Sequence, residues 1–322
     1  MIYTKSREPV EIGNGVLYVP GITNVGLITN EVGDVTELYL VDSGNCATDG
    51  EWVLKYIDDY YKKLNKKYII KAIITTHGHP DHFGGHKTIK DKTGCEIWAA
   101  EEDVLPMGNP LVHCTVLWGG YPPHELRNPY FTPERIDVDR FIEDDDVFQL
   151  SGDRTISYID LSGHTYKCLG IIVSNKKGEK IIFTGDAIFT REELGKFWIP
   201  FIVNPDQFLD SLRKIPKIDN TLCLIPSHGD VIYNDIIEET AEFNEISVLS
   251  AKQSIRNALK NKEFSTIDEI TKYVADLNGY KMSFGQYSLM NSTIKSYLTI
   301  MHDKGEVEIK IEENVLYFYL PK

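Results

Sequence analysis

Residues 77–82 read His-Gly-His-Pro-Asp-His and bring three imidazoles and one carboxylate into six positions. Neutral imidazole and carboxylate are side-chain ligands that zinc and related metal ions accept in proteins. In a tight loop, alternate side chains point in different directions, so His77, His79, Asp81 and His82 can serve two neighbouring ions. Core packing does not require this combination at this spacing. The motif therefore predicts a metal site.

Three more candidate ligands each follow a short apolar run later in the chain. His164 lies in Ser-Gly-His-Thr, Asp186 in Phe-Thr-Gly-Asp, and His228 in Pro-Ser-His-Gly. One such residue beside a glycine is more often an ordinary turn residue than a ligand. All three follow predicted strands, however, as the 77–82 motif does, and strand ends at one edge of a sheet can converge on one site. The predicted metal ligands are His77, His79, Asp81, His82, His164, Asp186 and His228.

The apolar runs before these residues predict β-strands, with helices between some of them. Trp52, Leu54 and Ile57 recur at helical spacing within a predicted helix over 50–64. A turn at 175–178 indicates that the strands on either side of it pair as a hairpin. Strands joined by a crossover helix are typical of an α/β arrangement. The predicted strands cover 16–19, 25–28 (ended by Asn30), 37–41, 68–74, 155–159, 169–173, 180–183 and 223–226, and a further helix covers 205–213.

Residues 101–150 are the least regular part of the sequence. Six prolines between Pro106 and Pro133 argue against one long helix, and Trp118, Tyr130 and Phe131 make the segment aromatic. Two interpretations stand: a loop that packs on the core through its own side chains, or a lid that shapes a substrate pocket. We treat this segment as an insertion in a catalytic domain.

The C-terminal part has a pattern of its own. Thr266 and Glu269 form a capping-box pattern for a helix that Gly279 ends, and a second helix stops at Gly305. Two alternating strands follow, over 307–311 and 315–319. Helices followed by a terminal hairpin indicate a winged-helix-like domain. We therefore predict a catalytic domain over 1–245 and a winged-helix-like domain over 246–322.

Composition and charge limit the classes of function. The hydrophobic share of 42% and the charged share of 25% are those of a soluble globular protein. The net charge is −14, yet the chain from Val248 onward carries ten Lys/Arg and nine Asp/Glu, so the acidity belongs to the preceding part. Polyanion binding depends on lysine and arginine. RNA is therefore disfavoured, and we expect a small-molecule substrate, with a homodimer as the working expectation for assembly.

The sequence predicts neither a targeting or membrane segment nor disulfide bonds. Residues 1–9 contain no apolar segment of a signal peptide, and no run approaches the roughly eighteen apolar residues of a membrane span. We therefore expect a cytoplasmic protein with no membrane partner. The five cysteines are odd in number and include no C-x-x-C pair, which argues against disulfides and against a thiolate zinc site. Cys168 and Cys223 lie near predicted ligands.

The H-x-H-x-D-H motif, G-H-T, F-T-G-D and S-H-G, in this order and spacing, resemble the motifs of the metallo-β-lactamase superfamily over about residues 10–240. The resemblance implies an α+β fold, an αβ/βα sandwich of two β-sheets with helices outside. It also implies two divalent metal ions, zinc first, with iron or manganese as alternatives. By this resemblance His77, His79 and His164 hold one ion, Asp81, His82 and His228 hold the second, and Asp186 bridges both.

A site of this kind implies a hydrolase. Two divalent ions about 3.5–4 Å apart share a bridging water, lower its pKa toward neutrality and so supply a hydroxide that attacks a carbonyl or phosphorus centre. Asp81 is then both a ligand and the predicted catalytic residue, because it can orient the nucleophile or shuttle its proton. Asp42 matches a position that often supports the metal loop, with an ordinary turn carboxylate as the equal alternative.

Differences between this sequence and the related families narrow the class of hydrolase. True β-lactamases resemble this chain but have Cys or Ser where Asp186 stands. Glyoxalase II has a similar metal site, but its basic glutathione-binding pattern is not evident here. The segment between Asp186 and His228 is too short for the inserted domain of RNase J-type nucleases. Tyr166, where thioesterase relatives have small residues, either enters the pocket or packs.

The expected function is a binuclear metal-dependent hydrolase that acts on a small ester, thioester or lactone-like substrate. A single-strand-specific endoribonuclease with the same metal site is the first alternative, because some relatives with a winged-helix-like tail cut single-stranded RNA. A mononuclear iron persulfide dioxygenase is the second alternative. The full set of seven ligands argues against the dioxygenase, which leaves its second site empty.

Overall fold

Two β-sheets pack face to face, and helices cover both outer faces. The computed structural model describes residues 8–196, 199–260 and 262–322. Residues 1–7 lie outside these ranges, so the prediction that they contain no signal peptide stays a prediction. Among the described residues, no helix has the length and apolar character needed to cross a membrane.

The first sheet has the strand order β1 to β7, antiparallel from β1 to β4 and parallel from β4 onward. Asn30 does not end the second predicted strand, because its side-chain amide donates to Glu37 Oε2 on the neighbouring strand, at 2.9 Å. That strand continues to Val32. The strands are β1 (Val10–Gly13), β2 (Val16–Val19), β3 (Val25–Val32), β4 (Val35–Val41), β5 (Lys67–Ile74), β6 (Glu96–Ala99) and β7 (Arg140–Phe141).

The second sheet is formed by the C-terminal half of the sandwich. Its strands are β8 (Val147–Leu150), β9 (Arg154–Asp160), β10 (Leu169–Ser174), β11 (Lys180–Gly185), β12 (Thr221–Pro226) and β13 (Ile232–Tyr233). They lie in the order β13-β12-β11-β10-β9-β8. The predicted hairpin is confirmed, since β10 and β11 pair antiparallel. The pair β11 and β12 is parallel, so both strands end at the same edge.

The helices form the outer layers, and α2 lies in the loop after β5. One apolar cluster fills the space between the sheets, with Ile74, Ile171 and Phe183 fully or nearly buried. A second cluster joins the first sheet to α1 and α3. The sandwich helices are α1 (Ala47–Leu64), α2 (Pro80–Phe83), α3 (His86–Thr93), α4 (Leu105–Gly108), α5 (Leu111–Trp118), α6 (Arg191–Lys196) and α7 (Pro205–Lys214).

The C-terminal residues form three helices and a hairpin, and the expected capping box of Thr266 and Glu269 is present. The third apolar cluster joins the outer face of the second sheet to these helices, from Phe208 through Ile255 to Met301. The elements are α8 (Ile237–Lys260), α9 (Ile267–Leu277), α10 (Phe284–Asp303), β14 (Glu308–Glu312) and β15 (Val315–Tyr319). The predicted boundary at 245/246 lies within α8, and the division into two domains stays a prediction.

The segment 101–150 contains several short elements. It forms α4, α5 and 3-10 turns, and its last residues join the sheets as β7 and β8. The segment is tied to the core where its later residues pass β6: Asp139 N–H donates to the Ile97 carbonyl at 2.8 Å, and Ile142 N–H donates to the Ala99 carbonyl at 3.0 Å. Trp118 of α5 packs on Phe284 of α10, with ring centroids 5.4 Å apart. The insertion thus rests on the C-terminal helices.

Candidate metal centre

The seven predicted ligands lie together on four loops at one edge of the sandwich. The 77–82 loop follows β5 of the first sheet, and the other three loops follow β9, β11 and β12 of the second. The strands β9 and β11 both run antiparallel to β10, and β11 and β12 run parallel, so all three end at the same edge. The fold therefore brings together side chains that are far apart in the sequence.

Three imidazoles form the first group. His77 Nε2 and His164 Nε2 lie 3.0 Å and 2.9 Å from His79 Nδ1. Burial lowers the pKa of all three histidines, and the other imidazoles nearby lower it further. The rings are therefore neutral near neutral pH, and each has a lone pair for a metal ion.

Asp81, His82 and His228 form the second group. The Nε2 atoms of His82 and His228 lie 3.7 Å and 3.4 Å from Asp81 Oδ2. Burial opposes protonation of His82, but Asp81, Asp186 and Asp42 outweigh it and raise its pKa to about 10. Despite burial, His82 and His228 hold the pKa of both Asp81 and Asp186 below the usual range. Both carboxylates are thus negatively charged near neutral pH, the form that binds divalent cations.

Asp186 lies between the two groups. Its Oδ2 is 3.3 Å from His164 Nε2 and 3.4 Å from His228 Nε2, while its Oδ1 is 3.7 Å from His82 Nε2. Within each of three overlapping sets of three residues, the potential ligand atoms lie within 4.8 Å of one another. This is the geometry in which one carboxylate can contact two ions.

Two buried atoms test whether the site suits a metal ion. In the described parts of the chain, neither His82 Nε2 nor Asp186 Oδ1 has a hydrogen-bond partner. Buried polar atoms are normally satisfied, and the 3.7 Å between these two is too long for a hydrogen bond. Ligand atoms about 2.0–2.2 Å from a shared ion lie roughly 3–4 Å apart. The separation of these two atoms therefore suits two ligands of one metal ion rather than a hydrogen-bonded pair.

Hydrogen bonds on the far side of the rings fix their orientation. His82 Nδ1 donates to Asp42 Oδ2 at 2.9 Å. His164 Nδ1 donates to the Phe201 carbonyl, and His228 Nδ1 donates to the Ile22 carbonyl, both at 2.6 Å. Because Nδ1 donates in each case, Nε2 is the nitrogen directed toward the site, and a metal ion would displace any proton that it carries.

Asp42 supports the metal loop rather than acting as an ordinary turn carboxylate. It is 1% exposed and has a positive φ of 60° directly after β4. Its Oδ1 accepts from the Thr76 N–H and its Oδ2 accepts from the Thr76 hydroxyl, both at 2.8 Å. Together with the hydrogen bond from His82, these contacts give both carboxylate oxygens a hydrogen-bond partner.

Asp103 is a supporting residue that the sequence analysis missed. Its Oδ2 accepts from the Gly78 N–H at 2.6 Å, and its side chain also bonds that of Thr165. It thereby links the loop of His77 and His79 to the loop of His164. Burial raises the pKa of Asp103 to about 7. The run Glu-Glu-Asp at 101–103 has the appearance of surface charge, so no local signal marks it.

His113 and Phe201 were also missed, and both lie beside His79. The ring centroids of His113 and Phe201 are 5.0 Å and 5.4 Å from that of His79. By contrast, His86 is a structural histidine, because its two ring nitrogens are hydrogen-bonded at 2.6 Å and 2.8 Å to the hydroxyls of Ser43 and Thr75.

Three other residues lie near the predicted ligands in the sequence. Tyr166 is 69% exposed, so the interpretation of a packed tyrosine is wrong. Cys168 and Cys223 are buried free thiols whose pKa is raised, first by burial, so they stay protonated and are poor ligands. All five cysteines are free thiols in the structure.

The family model described as "Metallo-beta-lactamase superfamily" matches residues 18–228. The chain belongs to this superfamily. Among curated proteins it is similar to a hydroxyacylglutathione hydrolase of Hyphomonas neptunium, with 28% identity over 158 residues, which is 48% of this chain and 48% of that protein. The chain thus spans about half the length of the curated relatives it matches.

Solved structures show the same fold over nearly the whole chain. A beta-lactamase domain protein from Burkholderia ambifaria aligns with a TM-score of 0.74 and 16% identity, over 97% of this chain and 93% of that one. A metallo-beta-lactamase family protein from Thermus thermophilus aligns with a TM-score of 0.72 and 15% identity, over 97% and 100% of the two chains. The α+β sandwich is therefore confirmed, and the C-terminal helices belong to the shared architecture.

Proposed function

We propose that the protein is a metal-dependent hydrolase that binds two divalent ions and acts on a small ester, thioester or lactone-like substrate. The observation that carries the proposal is the position of Asp186, whose carboxylate lies within 3.7 Å of ligand nitrogens from both groups. Zinc is the proposed metal, because imidazole and carboxylate ligands suit it.

The assignment of ligands follows the two groups. When bound, the two ions would supply a hydroxide nucleophile at neutral pH and stabilise negative charge on the substrate oxygen. The proposed ligands of the first ion are His77, His79 and His164; those of the second are Asp81, His82 and His228; and Asp186 is shared.

Asp81 is the proposed catalytic residue. It is partly exposed, unlike the deeply buried Asp186, so its carboxylate can reach a substrate as well as an ion. Because its pKa is held below the usual range, Asp81 accepts a hydrogen bond from the nucleophile and orients it. When the leaving group departs, the same carboxylate can pass a proton to it.

Relatives support a thioester within this substrate class. The curated proteins similar to this chain include hydroxyacylglutathione hydrolases, and an acyl group on the thiol of glutathione is a thioester. The endoribonuclease alternative has less support, because the acidic catalytic part repels a polyanion.

Metal content and hydrolysis together test the proposal. The chain, purified without chelators or a metal-binding tag, should contain about two zinc ions per chain by plasma mass spectrometry. It should then hydrolyse members of an ester, thioester and lactone panel, with single-stranded RNA included for the alternative. One iron per chain would favour the dioxygenase instead, and a protein that cannot be loaded with metal would refute the proposal.

A further inference from the structure

An uncharged aromatic wall stands beside the first group of ligands. His113 and Phe201 lie 6.5 Å apart by ring centroids, and both flank His79. Phe131 lies beside His113, with the two rings nearly parallel at 21° and their centroids 6.4 Å apart. Tyr130 packs edge-on against Phe131 at 5.0 Å. We call these four residues the aromatic wall: His113, Tyr130, Phe131 and Phe201.

His113 has polar atoms that the protein does not use. Its side chain is 9% exposed, and among the described residues it has ring contacts but no hydrogen bond. Its ring nitrogens are not among the fully buried atoms that lack a partner, so they remain accessible to a small molecule, unlike the two nitrogens of His86, which are bonded within the protein. An imidazole left unpaired beside a candidate metal ligand is available to a bound molecule.

The wall carries no formal charge and faces the carboxylates of the site. Burial, followed by Asp81 and Asp186, raises the pKa of Tyr130 to about 12, so its phenol is neutral at neutral pH. Two other members of the wall, Phe131 and Phe201, have no ionisable group. Neither a lysine nor an arginine of the described ranges is among the groups that shift the pKa of Tyr130. A negatively charged substrate group placed here would lack a counter-ion, which is costly where water is partly excluded.

We propose that the aromatic wall binds the acyl part of the substrate, that this part is uncharged and apolar, and that His113 donates a hydrogen bond to its carbonyl oxygen. This proposal rests on the proposed function and names its substrate class more closely. The aromatic rings remove the acyl chain from water, and His113, beside His79, lies where an oxygen approaching the first group of ligands would pass.

The hydrogen bond is tested with three variants. His113→Phe keeps an aromatic ring but removes the donor, and His113→Gln keeps a donor. His124→Phe is the matched control, since His124 lies in the same insertion with its side chain 82% exposed. For the zinc-loaded protein with the hexanoyl thioester of N-acetylcysteamine, His113→Phe should lower kcat/KM about tenfold to a hundredfold. His113→Gln should recover part of the loss, and His124→Phe should match the unmodified protein.

Binding supplies a readout that does not depend on turnover. The probe is the ketone in which a methylene replaces the thioester sulfur, with affinity measured by calorimetry. His113→Phe should weaken its binding about tenfold at unchanged zinc content. Equal affinity and kcat/KM in His113→Phe and in the unmodified protein would overturn the role of His113.

The uncharged character of the acyl part is tested by a matched pair of substrates. The hexanoyl thioester should be hydrolysed at least about tenfold more efficiently than the adipoyl thioester, which has the same carbon count and a terminal carboxylate. Equal efficiency with the two thioesters would overturn the proposal that the aromatic wall binds an uncharged, apolar acyl part. If the loaded protein hydrolyses no member of the ester, thioester and lactone panel but still binds the ketone through His113, the proposed function fails while the proposed role of the aromatic wall in binding stands.

Discussion

Asp42 shows how a residue outside the candidate ligand set can control the site. Its two oxygens accept three hydrogen bonds, two from Thr76 and one from His82 Nδ1. The His82 bond holds the ring so that Nε2 points toward Asp81 and Asp186. Orientation of the ligand, rather than charge alone, is what this carboxylate provides.

Replacing Asp42 by Asn should therefore weaken binding of the second metal ion. The amide cannot accept all three hydrogen bonds, so His82 loses its fixed orientation. We expect zinc affinity of the weaker site to fall about tenfold to a hundredfold, measured by competition with a chelating dye. Asp58→Asn on the exposed face of α1 is the control, and an unchanged affinity in Asp42→Asn would contradict the supporting role.

Asp103 predicts a pH dependence of stability in the metal-free protein. Burial raises its pKa to about 7 from the ordinary aspartate value of 3.8. Between these values the unfolded chain loses the proton while the folded chain keeps it, so the folded state loses stability as the pH rises. Above about 7 both states are ionised and the slope vanishes.

Asp103→Asn should remove that slope, because the amide does not titrate in this range. The free energy of unfolding is measured in urea at pH 5 and pH 7. Over this interval the unmodified protein should lose stability relative to the variant, by at most about 1.4 kcal/mol per pH unit. Parallel pH profiles for the two proteins would show that Asp103 is not protonated in the folded state.

At the scale of elements, α10 is linked to the candidate metal centre through the loop before α7. The Thr293 hydroxyl accepts from the buried Ile202 N–H at 3.3 Å. The preceding Phe201 carbonyl accepts from His164 Nδ1. The C-terminal helix thus holds the loop that orients a candidate ligand.

Thr293→Val should break this link without changing the shape of the side chain. A buried N–H left without a partner costs about 1–3 kcal/mol, so the free energy of unfolding in urea should fall by that amount. Zinc affinity should fall with it, because the Phe201 carbonyl shifts. Thr293→Ser keeps the hydroxyl and should lose less; an equal loss in both variants would assign the effect to packing alone.

The elements and candidate ligands could be predicted because local patterns encode them. The strand before His77, the capping box at Thr266 and the two terminal strands each depend on neighbouring residues. The supporting contacts could not be predicted in this way. Gly78 and Asp103 are 25 residues apart, and Ile202 and Thr293 are 91 apart. Such pairs depend on how the sheets and helices pack, which periodicity does not specify.

At the scale of the molecule, the candidate metal centre joins the two sheets. The 77–82 loop belongs to the first sheet, whereas His164, Asp186 and His228 belong to the second. The protein already links these sheets here, since Asn24 Nδ2 donates to the Pro226 and Gly229 carbonyls at 2.8 Å each. Bound ions would add a second connection at the same edge.

Metal removal should therefore lower thermal stability. An ion that binds only the folded state at a hundred times its Kd stabilises it by about 2.7 kcal/mol per site. For a chain of this size, we expect a drop in Tm of several degrees after chelation, recovered when zinc is restored. Differential scanning calorimetry of the loaded, chelated and reloaded protein measures it.

The variant Asp186→Asn tests whether zinc stabilises the protein by connecting the two sheets or by binding non-specifically elsewhere. The amide has one acceptor oxygen, so it cannot contact both ions as the carboxylate does. The difference in Tm between the loaded and chelated forms should shrink in this variant, whereas Asp210→Asn, on the exposed face of α7, should keep the full difference. If both variants kept it, the stabilising zinc would be bound elsewhere, and the two sheets would not be joined through Asp186.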